Sequence, residues 1–245
     1  MILKKDKALC IRALDYSETS QIVTFFARDA GKIAAIAKGA KRPKSPFGAP
    51  IEILSFGDII FSQNNRDTLA TLTEFNQLPL FGSLRKNLFV LNSALFAVEL
   101  LNTFTHEEDT HVELFDSLIE FLTDIQSSQS RPDALSLLIL FQLDLLSQTG
   151  VLPVFQFCLN CKTPVNENWR QYCFSSSANG IVCRDCQISF PDRIVLAPDI
   201  AKCLADFKNI KQAELKTLEK IERLLIHHFT EISGKRPKMA KSILA

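Results

Sequence analysis

Short apolar runs rich in Ile, Val and Phe alternate with polar turn material over the first 80 residues. Ala8–Leu14, Gln21–Ala27, Lys32–Ala37, Asp58–Ser62 and Thr68–Phe75 each read as a strand. They are separated by Asp15–Ser20, Asp29–Gly31 and Asn64–Asp67, whose residue types favour turns. About five short strands in that length predict a small β-barrel. The oligonucleotide-binding (OB) fold is the leading candidate and an SH3-like barrel the other.

Beyond residue 80 the apolar period lengthens to that of a helix. Thr110-His111-Val112-Glu113 has the form of a capping box, and Leu114, Leu118, Phe121, Leu122 and Ile125 behind it fall on one helical face. Pro132 suits a helix start, Leu135–Leu146 is apolar almost all round, and Gly150 and Pro153 supply a stop. A helix apolar on every side is usually a buried one. Pro198–Phe207 and Lys211–Ile232 are helical again, the second with Leu215, Leu218, Ile221 and Leu225 along an inner stripe. The expected class is therefore α+β and multi-module. It comprises a barrel over 1–80, a helical bundle over 81–156, a cysteine module over 157–190 and C-terminal helices over 191–245 that pack on the bundle.

Composition changes this picture little, and charge changes it more. The 245 residues are 47% hydrophobic and 22% charged, as in ordinary globular proteins. The net charge of +1, taken alone, argues against a basic nucleic-acid binder. Divided by zone, residues 1–80 carry +3, residues 81–157 carry −7 and residues 158–245 carry +5. No apolar signal region follows the charged start. Leu88–Leu101 is interrupted by Asn92, Ser93 and Glu99 and falls short of the roughly 18 residues a membrane span needs. A soluble, intracellular protein without membrane contact is expected.

Four of the seven cysteines form two pairs, Cys158-x-x-Cys161 and Cys183-x-x-Cys186, with 21 residues between them. Each two-residue gap lets a pair chelate one metal through a tight turn. Four soft thiolates suit a closed tetrahedral Zn²⁺ site that is structural, one per chain, because no position is left for substrate. Cys173 reads as a spectator, Cys10 and Cys203 as core.

A second signal is Lys38-Gly39-Ala40-Lys41-Arg42-Pro43-Lys44, directly after a strand, with Arg28 and Lys32 preceding it and Arg12 on a neighbouring strand. Cations on a loop beside a barrel suit phosphate contacts, although a bare charge run is often only a solvated loop. Phe25, Phe26, Phe47 and Tyr16 are candidates to stack on bases, with at most one of the adjacent Phe25 and Phe26 facing a ligand. The run Lys235-Arg236-Pro237-Lys238-Met239-Ala240-Lys241 is either a solvated tail or an accessory phosphate contact. Walker A, Gly-x-Ser-x-Gly, zinc-deaminase and His-Glu-x-x-His patterns are all missing. A non-enzyme is therefore expected.

The segments Ala8–Leu14, Asp15-Tyr16-Ser17-Glu18-Thr19-Ser20, Ile22–Phe26, Gly31-Lys32 and Lys38–Ser45, together with Thr71-Leu72-Thr73-Glu74, resemble the bacterial RecO family. The helical middle and the four cysteines match it in order. Ser17 stands where that family often has glycine. The resemblance implies an N-terminal OB domain, a helical domain and a zinc module. It implies a cytoplasmic, nucleoid-associated recombination mediator in DNA repair of the RecF-pathway type. Such a protein binds single- and double-stranded DNA, anneals complementary strands, and with RecR helps load RecA on strands coated by single-stranded DNA-binding protein (SSB), whose acidic C-terminal tail it binds. RecF is a further functional link. By the same resemblance Arg12, Lys38, Lys41, Arg42 and Lys44 become DNA contacts, joined by Arg28 and Lys32 from the charge pattern. Cys158, Cys161, Cys183 and Cys186 become the zinc ligands. The alternative expectation is an interaction scaffold of a repair complex that does not touch DNA.

Overall fold

The computed structural model describes residues 2–63, 69–107, 109–166 and 169–244. The expected turn Asn64–Asp67, the start of the fifth strand at Thr68, and Glu108 lie outside the described residues. Two compact units are present, Met1–Gln126 and Ser127–Ala245. The boundary between them falls within the stretch 81–156 that the sequence pattern groups as one bundle.

In the first unit, β1 (Ile2–Asp15), β2 (Gln21–Ala27), β3 (Gly31–Ala37), β4 (Phe56–Gln63) and β5 (Ala70–Leu78) close into a barrel in the order β1-β2-β3-β5-β4. All neighbours are antiparallel except β3 and β5. This is the OB-like arrangement expected. Strand β1 begins well upstream of Ala8, because it serves two partners. Ile2–Leu9 pairs with β4 and Ala8–Asp15 with β2, across an irregularity at Cys10–Arg12. Its first half hides from the apolar pattern because Lys4, Lys5 and Lys7 are exposed and the one buried side chain among them is Asp6. That carboxylate accepts N–H bonds from Asp29 and Ala30, at 3.0 and 2.8 Å.

Val23, Phe25, Ile33, Ile59, Phe61, Leu72 and Phe75 fill the barrel, with Phe25 and Phe75 edge to face at 5.3 Å. Alanines at 8, 27, 35, 37 and 70 take little room at the strand seams. Phe26, on the opposite face of β2, is also fully buried, because α2 (Val112–Ile125) lays Phe115 against it and against Phe56. Phe47 is 6% exposed and belongs to the barrel core. Neither Phe25 nor Phe26, nor Phe47, is therefore available to stack on a base. Tyr16, 62% exposed, is the aromatic candidate that remains.

Helix α1 (Leu88–Phe104) is capped by Asn87, whose side chain accepts from the N–H groups of Phe89 and Val90. The capping box expected before α2 does not form. His111 occupies the N-cap without a side-chain bond to the helix, its ring meeting Asp109 at 3.0 Å, and the Thr110 hydroxyl instead donates to the carbonyl of Asp29 in the β2–β3 turn.

In the second unit, α3 (Arg131–Gln148) starts as its sequence indicates, with Pro132 in the first turn and Ser130 accepting from the N–H of Asp133. Helices α4 (Pro198–Ala205), α5 (Leu215–Ser233) and α6 (Ala240–Ile243) complete the helical part. The long helix starts at Leu215 rather than Lys211, because Phe207–Gln212 forms a separate 3-10 turn capped by Asp206. Helix α5 packs on α3, and Leu218, Ile221 and Leu225 of its inner stripe are buried. Within that contact Glu222 is fully buried, and the Gln142 amide of α3 donates to both of its carboxyl oxygens at 3.0 and 3.1 Å. No described helix is long and apolar enough to cross a membrane.

Burial pushes Glu222 from its ordinary value of 4.5 up to about 7, and the Gln142 hydrogen bonds only partly oppose it. A raised carboxylic pKa means that the folded state holds the proton more tightly than the unfolded chain. The stability this group contributes is complete at acid pH and is lost as pH rises from about 4.5 to about 7. Glu222→Gln, which cannot ionise, is expected to flatten that part of a pH series of denaturation midpoints and to raise the midpoint above pH 7. An unchanged profile would rule out Glu222 as its source.

Candidate metal centre and nucleic-acid interface

The metal centre is built from two turns held against each other. In the first, the N–H of Cys158 reaches the carbonyl of Thr163 and the N–H of Lys162 returns to that of Cys158, at 2.8 and 2.9 Å. Closing this turn puts Lys162 at φ 62°, in the left-handed region that few side chains enter. In the second, β7 (Gly180–Cys183) ends on a ligand candidate, and the N–H of Cys186 turns back to the carbonyl of Cys183. Leu159 N–H to Ile181 carbonyl, 2.9 Å, ties the turns together. β7 pairs with β6 (Tyr172–Ser175), and β6 with β8 (Ile194–Leu196). Asp192, accepting from the Ser175 hydroxyl at 2.8 Å and the Ser177 N–H at 2.9 Å, holds the hairpin turn to the segment before β8.

The Sγ atoms of Cys158, Cys161, Cys183 and Cys186 all lie within 4.8 Å of one another. Four sulfurs about 2.3 Å from one ion form a tetrahedron with edges of about 3.8 Å, and Cys161 to Cys183 is 3.8 Å. The donor set and spacing fit one metal ion. The Asn160 amide and the N–H of Cys183 point at the sulfurs of Cys186 and Cys158, as outer donors to thiolate would. Hydrogen bonding from Thr163 brings Cys161 down to about 6, whereas burial drives Cys183 up to about 12. A bound cation reconciles the two by stabilising all four thiolates. Cys173 lies in the small core beside Cys158 and Val182 and is not in the cluster. Cys10 and Cys203 are buried.

The seven cations expected to meet DNA fall into two groups. Arg28 and Lys32 lie at the β2–β3 turn and point into their own unit. Arg28 makes a two-pronged contact with Asp116 of α2, at 2.9 and 2.7 Å, and that hydrogen bond raises its pKa as it lowers the carboxylate's. The Lys32 ammonium donates to the carbonyls of Asn102 and Thr105, where α1 ends and its dipole is negative. Burial lowers the Lys32 pKa, and Glu107 counters part of that.

The other five sit towards the far end of the barrel. Lys38, Arg42 and Lys44 are exposed on the segment leaving β3, Lys41 is half-buried, and Arg12 is exposed on β1. The loop is ordered by the β1–β2 turn: Lys41 N–H donates to the carbonyl of Thr19, and the Lys41 ammonium meets Asp15 at 2.7 Å. Ser17 holds the same turn, its hydroxyl accepting from the N–H of Ser20 at 3.1 Å. Tyr16 and Leu14 stand exposed beside these cations in sequence.

The sequence pattern did not single out one further feature. Exposed Val195 of β8, with Ile194, Leu196, Ile200 and Leu224, floors a groove of about 340 Å³ rimmed by Lys220 and Arg223. The signal that could have found it is the Lys and Arg content of residues 193–223.

Comparison with known proteins agrees with this architecture. The family model described as "Recombination protein O N terminal" matches residues 1–81, and "Recombination protein O C terminal" matches residues 85–241. Proteins named "DNA repair protein RecO" align over most of the chain. The Syntrophus aciditrophicus protein is 31% identical over 243 residues, covering 98% of this chain and 88% of the relative. The Bacillus subtilis protein is 27% identical over 240 residues, covering 95% and 91%. That of Salinibacter ruber is 36% identical over 149 residues, covering 61% and 56%. With both halves matched in order, and with a closed OB-like barrel and a four-cysteine centre in place, this chain belongs to the RecO family of DNA repair proteins.

Proposed function

We propose that this chain is a non-catalytic recombination mediator that binds single- and double-stranded DNA through the far end of its barrel. It anneals complementary strands and, with RecR, helps load RecA on SSB-coated DNA in the bacterial cytoplasm. The observation that carries the reading is the ordered cation loop. Lys38, Arg42 and Lys44 are exposed, and hydrogen bonds from the N–H groups of Gly39, Lys41 and Arg42 order the loop between them, so phosphate binding costs little further ordering. Each phosphate contact releases counterions, which provides affinity independent of sequence. Annealing follows from the same chemistry. Two strands repel each other, and a surface that screens both lowers that barrier and raises their local concentration. Arg28 and Lys32 are not part of this interface in our reading, since they lie at the other end of the barrel, tied to α2 and to the end of α1.

The ion in the cysteine cluster is Zn²⁺, one per chain, in a structural role. Four thiolates leave no open position for a substrate, and the core beside the cluster is small. The groove between Lys220 and Arg223 takes the acidic tail of SSB. Its apolar floor accepts the tail's apolar side chains and its two cations meet the carboxylates.

Lys38, Lys41 and Arg42 changed together to Glu should weaken binding of a single-stranded oligonucleotide at least about tenfold near 0.15 M salt and flatten its salt dependence. The same variant should slow annealing of SSB-coated strands, with or without RecR. Undiminished affinity in a folded variant would defeat the assignment. Cys158→Ser should lower the melting temperature by about 5 °C or more and cost stability more than it costs the DNA affinity of the folded fraction. X-ray absorption of the parent protein should report four sulfur neighbours around zinc. Lys220→Glu with Arg223→Glu should abolish binding of an SSB-tail peptide and spare binding of naked DNA; retained peptide binding would place that contact elsewhere.

A further inference from the structure

Around the cysteine centre lies a cleft of about 580 Å³, lined by Cys161, Cys183 and Cys186 and extending past them over side chains that hold no metal. It is bounded by Trp169, Arg170, Gln171, Thr163 and Arg184 together with cysteines of the cluster, and Asp185 adds one carboxylate. A single ion fills only a small part of that volume. Arg170 and Arg184 are both exposed, and neither has an ion-pair partner among the described residues. Trp169 is half-buried and stacked on Tyr172, the rings 5.7 Å apart and inclined by 23°. The Tyr172 hydroxyl donates to the carbonyl of Asn166 at 2.8 Å and so braces the stack from behind. The Gln171 amide is turned inward onto Gln187.

We infer that this cleft is a second nucleic-acid contact, in which a base of single-stranded DNA lies on Trp169 while Arg170 and Arg184 hold the flanking phosphates. An indole fixed by a stacked neighbour offers a flat surface at little entropic cost, and every base has a face that can use it. Arginine suits phosphate because its fork donates two parallel hydrogen bonds. The two guanidiniums stand on the rim of the cleft as its cations, against the carboxylate of Asp185 and the thiolates of the cluster. The competing role for the arginines is to balance the negative charge of a tetrathiolate centre, which predicts a different loss on mutation. The contact is independent of the barrel interface, since it uses none of the same residues and lies in the other compact unit.

Trp169 is the only tryptophan in the chain, so its emission reports on this cleft alone. The metal-loaded, full-length protein is titrated with a short oligo-dT while tryptophan emission and the anisotropy of a labelled strand are followed together. Saturable quenching is expected, and it should persist, at lower apparent affinity, when Lys38, Lys41 and Arg42 are changed to Glu. Arg170→Ala with Arg184→Ala should weaken the quenching transition about tenfold and reduce the slope of log affinity against log salt by about 1.4, as for two phosphate contacts. Arg170→Lys with Arg184→Lys should restore part of both. Strand binding by anisotropy with unchanged emission would overturn this contact and leave the barrel interface standing. A double alanine variant that loses metal but keeps its strand affinity would also overturn it. So would quenching by an acidic peptide but not by oligo-dT.

Discussion

The β2–β3 turn is the constraint around which the first unit is organised. Four residues there, Arg28 to Gly31, followed by Lys32, meet both helices. Arg28 grips Asp116, the carbonyl of Asp29 receives the Thr110 hydroxyl, and Lys32 caps the end of α1. Gly31 has φ 70°, and a Cβ there would stand 2.2 Å from the Asp109 carbonyl oxygen, so only glycine lets the helical connection approach so closely. From underneath, Asp6 holds the same turn by its backbone N–H groups. A strand of seven residues separates this crowded end from the cation loop, roughly 20 Å of extended chain. The barrel thus has an end packed against helices and an exposed end, and the basic residues at the two ends stand in different surroundings.

The second unit solves a different problem. Phe155, Phe174 and Ile181 are buried in the segment between α3 and β8, but around the cysteines the core is small. The small core there is Cys158, Cys173 and Val182, bordered by Trp169 and Phe190. Such a segment needs a cross-link to hold its turns, and the four converging sulfurs provide the ligands for one. Cys173 contributes by packing, with its thiol donating to Gln187.

How far the sequence revealed this depended on the range of the interactions concerned. Strand alternation exposed β2 and β3 almost residue for residue, and the two Cys-x-x-Cys pairs declared the metal cluster, because both signals are local. The first half of β1 was hidden, since its lysines look like a charged leader until the pairing with β4 is known. Thr110 and Glu113 had the spacing of a capping box, but a carbonyl from a distant turn took the threonine. Arg28 and Lys32 looked like members of the basic loop, because charge does not say which way a side chain points. Phe26 and Phe47 looked free to stack for the same reason. Each depended on a contact between residues far apart in the chain, such as Phe26 with Phe115 or Lys32 with Asn102.

The bridge between Lys32 and Glu107 carries a further consequence. The described contact between β3 and β5 is only two residue pairs, Ala35 with Ala70 and Ile36 with Thr71. At Lys32 the outward edge of β3 is instead occupied by the backbone of Glu107, aligned parallel to it. An uncovered strand edge is a template for pairing with other molecules and a common route to aggregation. The connection after α1 therefore acts as a guard strand one residue long, which denies foreign chains a place to add to the barrel at that position. A barrel closed at that edge does not gather copies of itself through it.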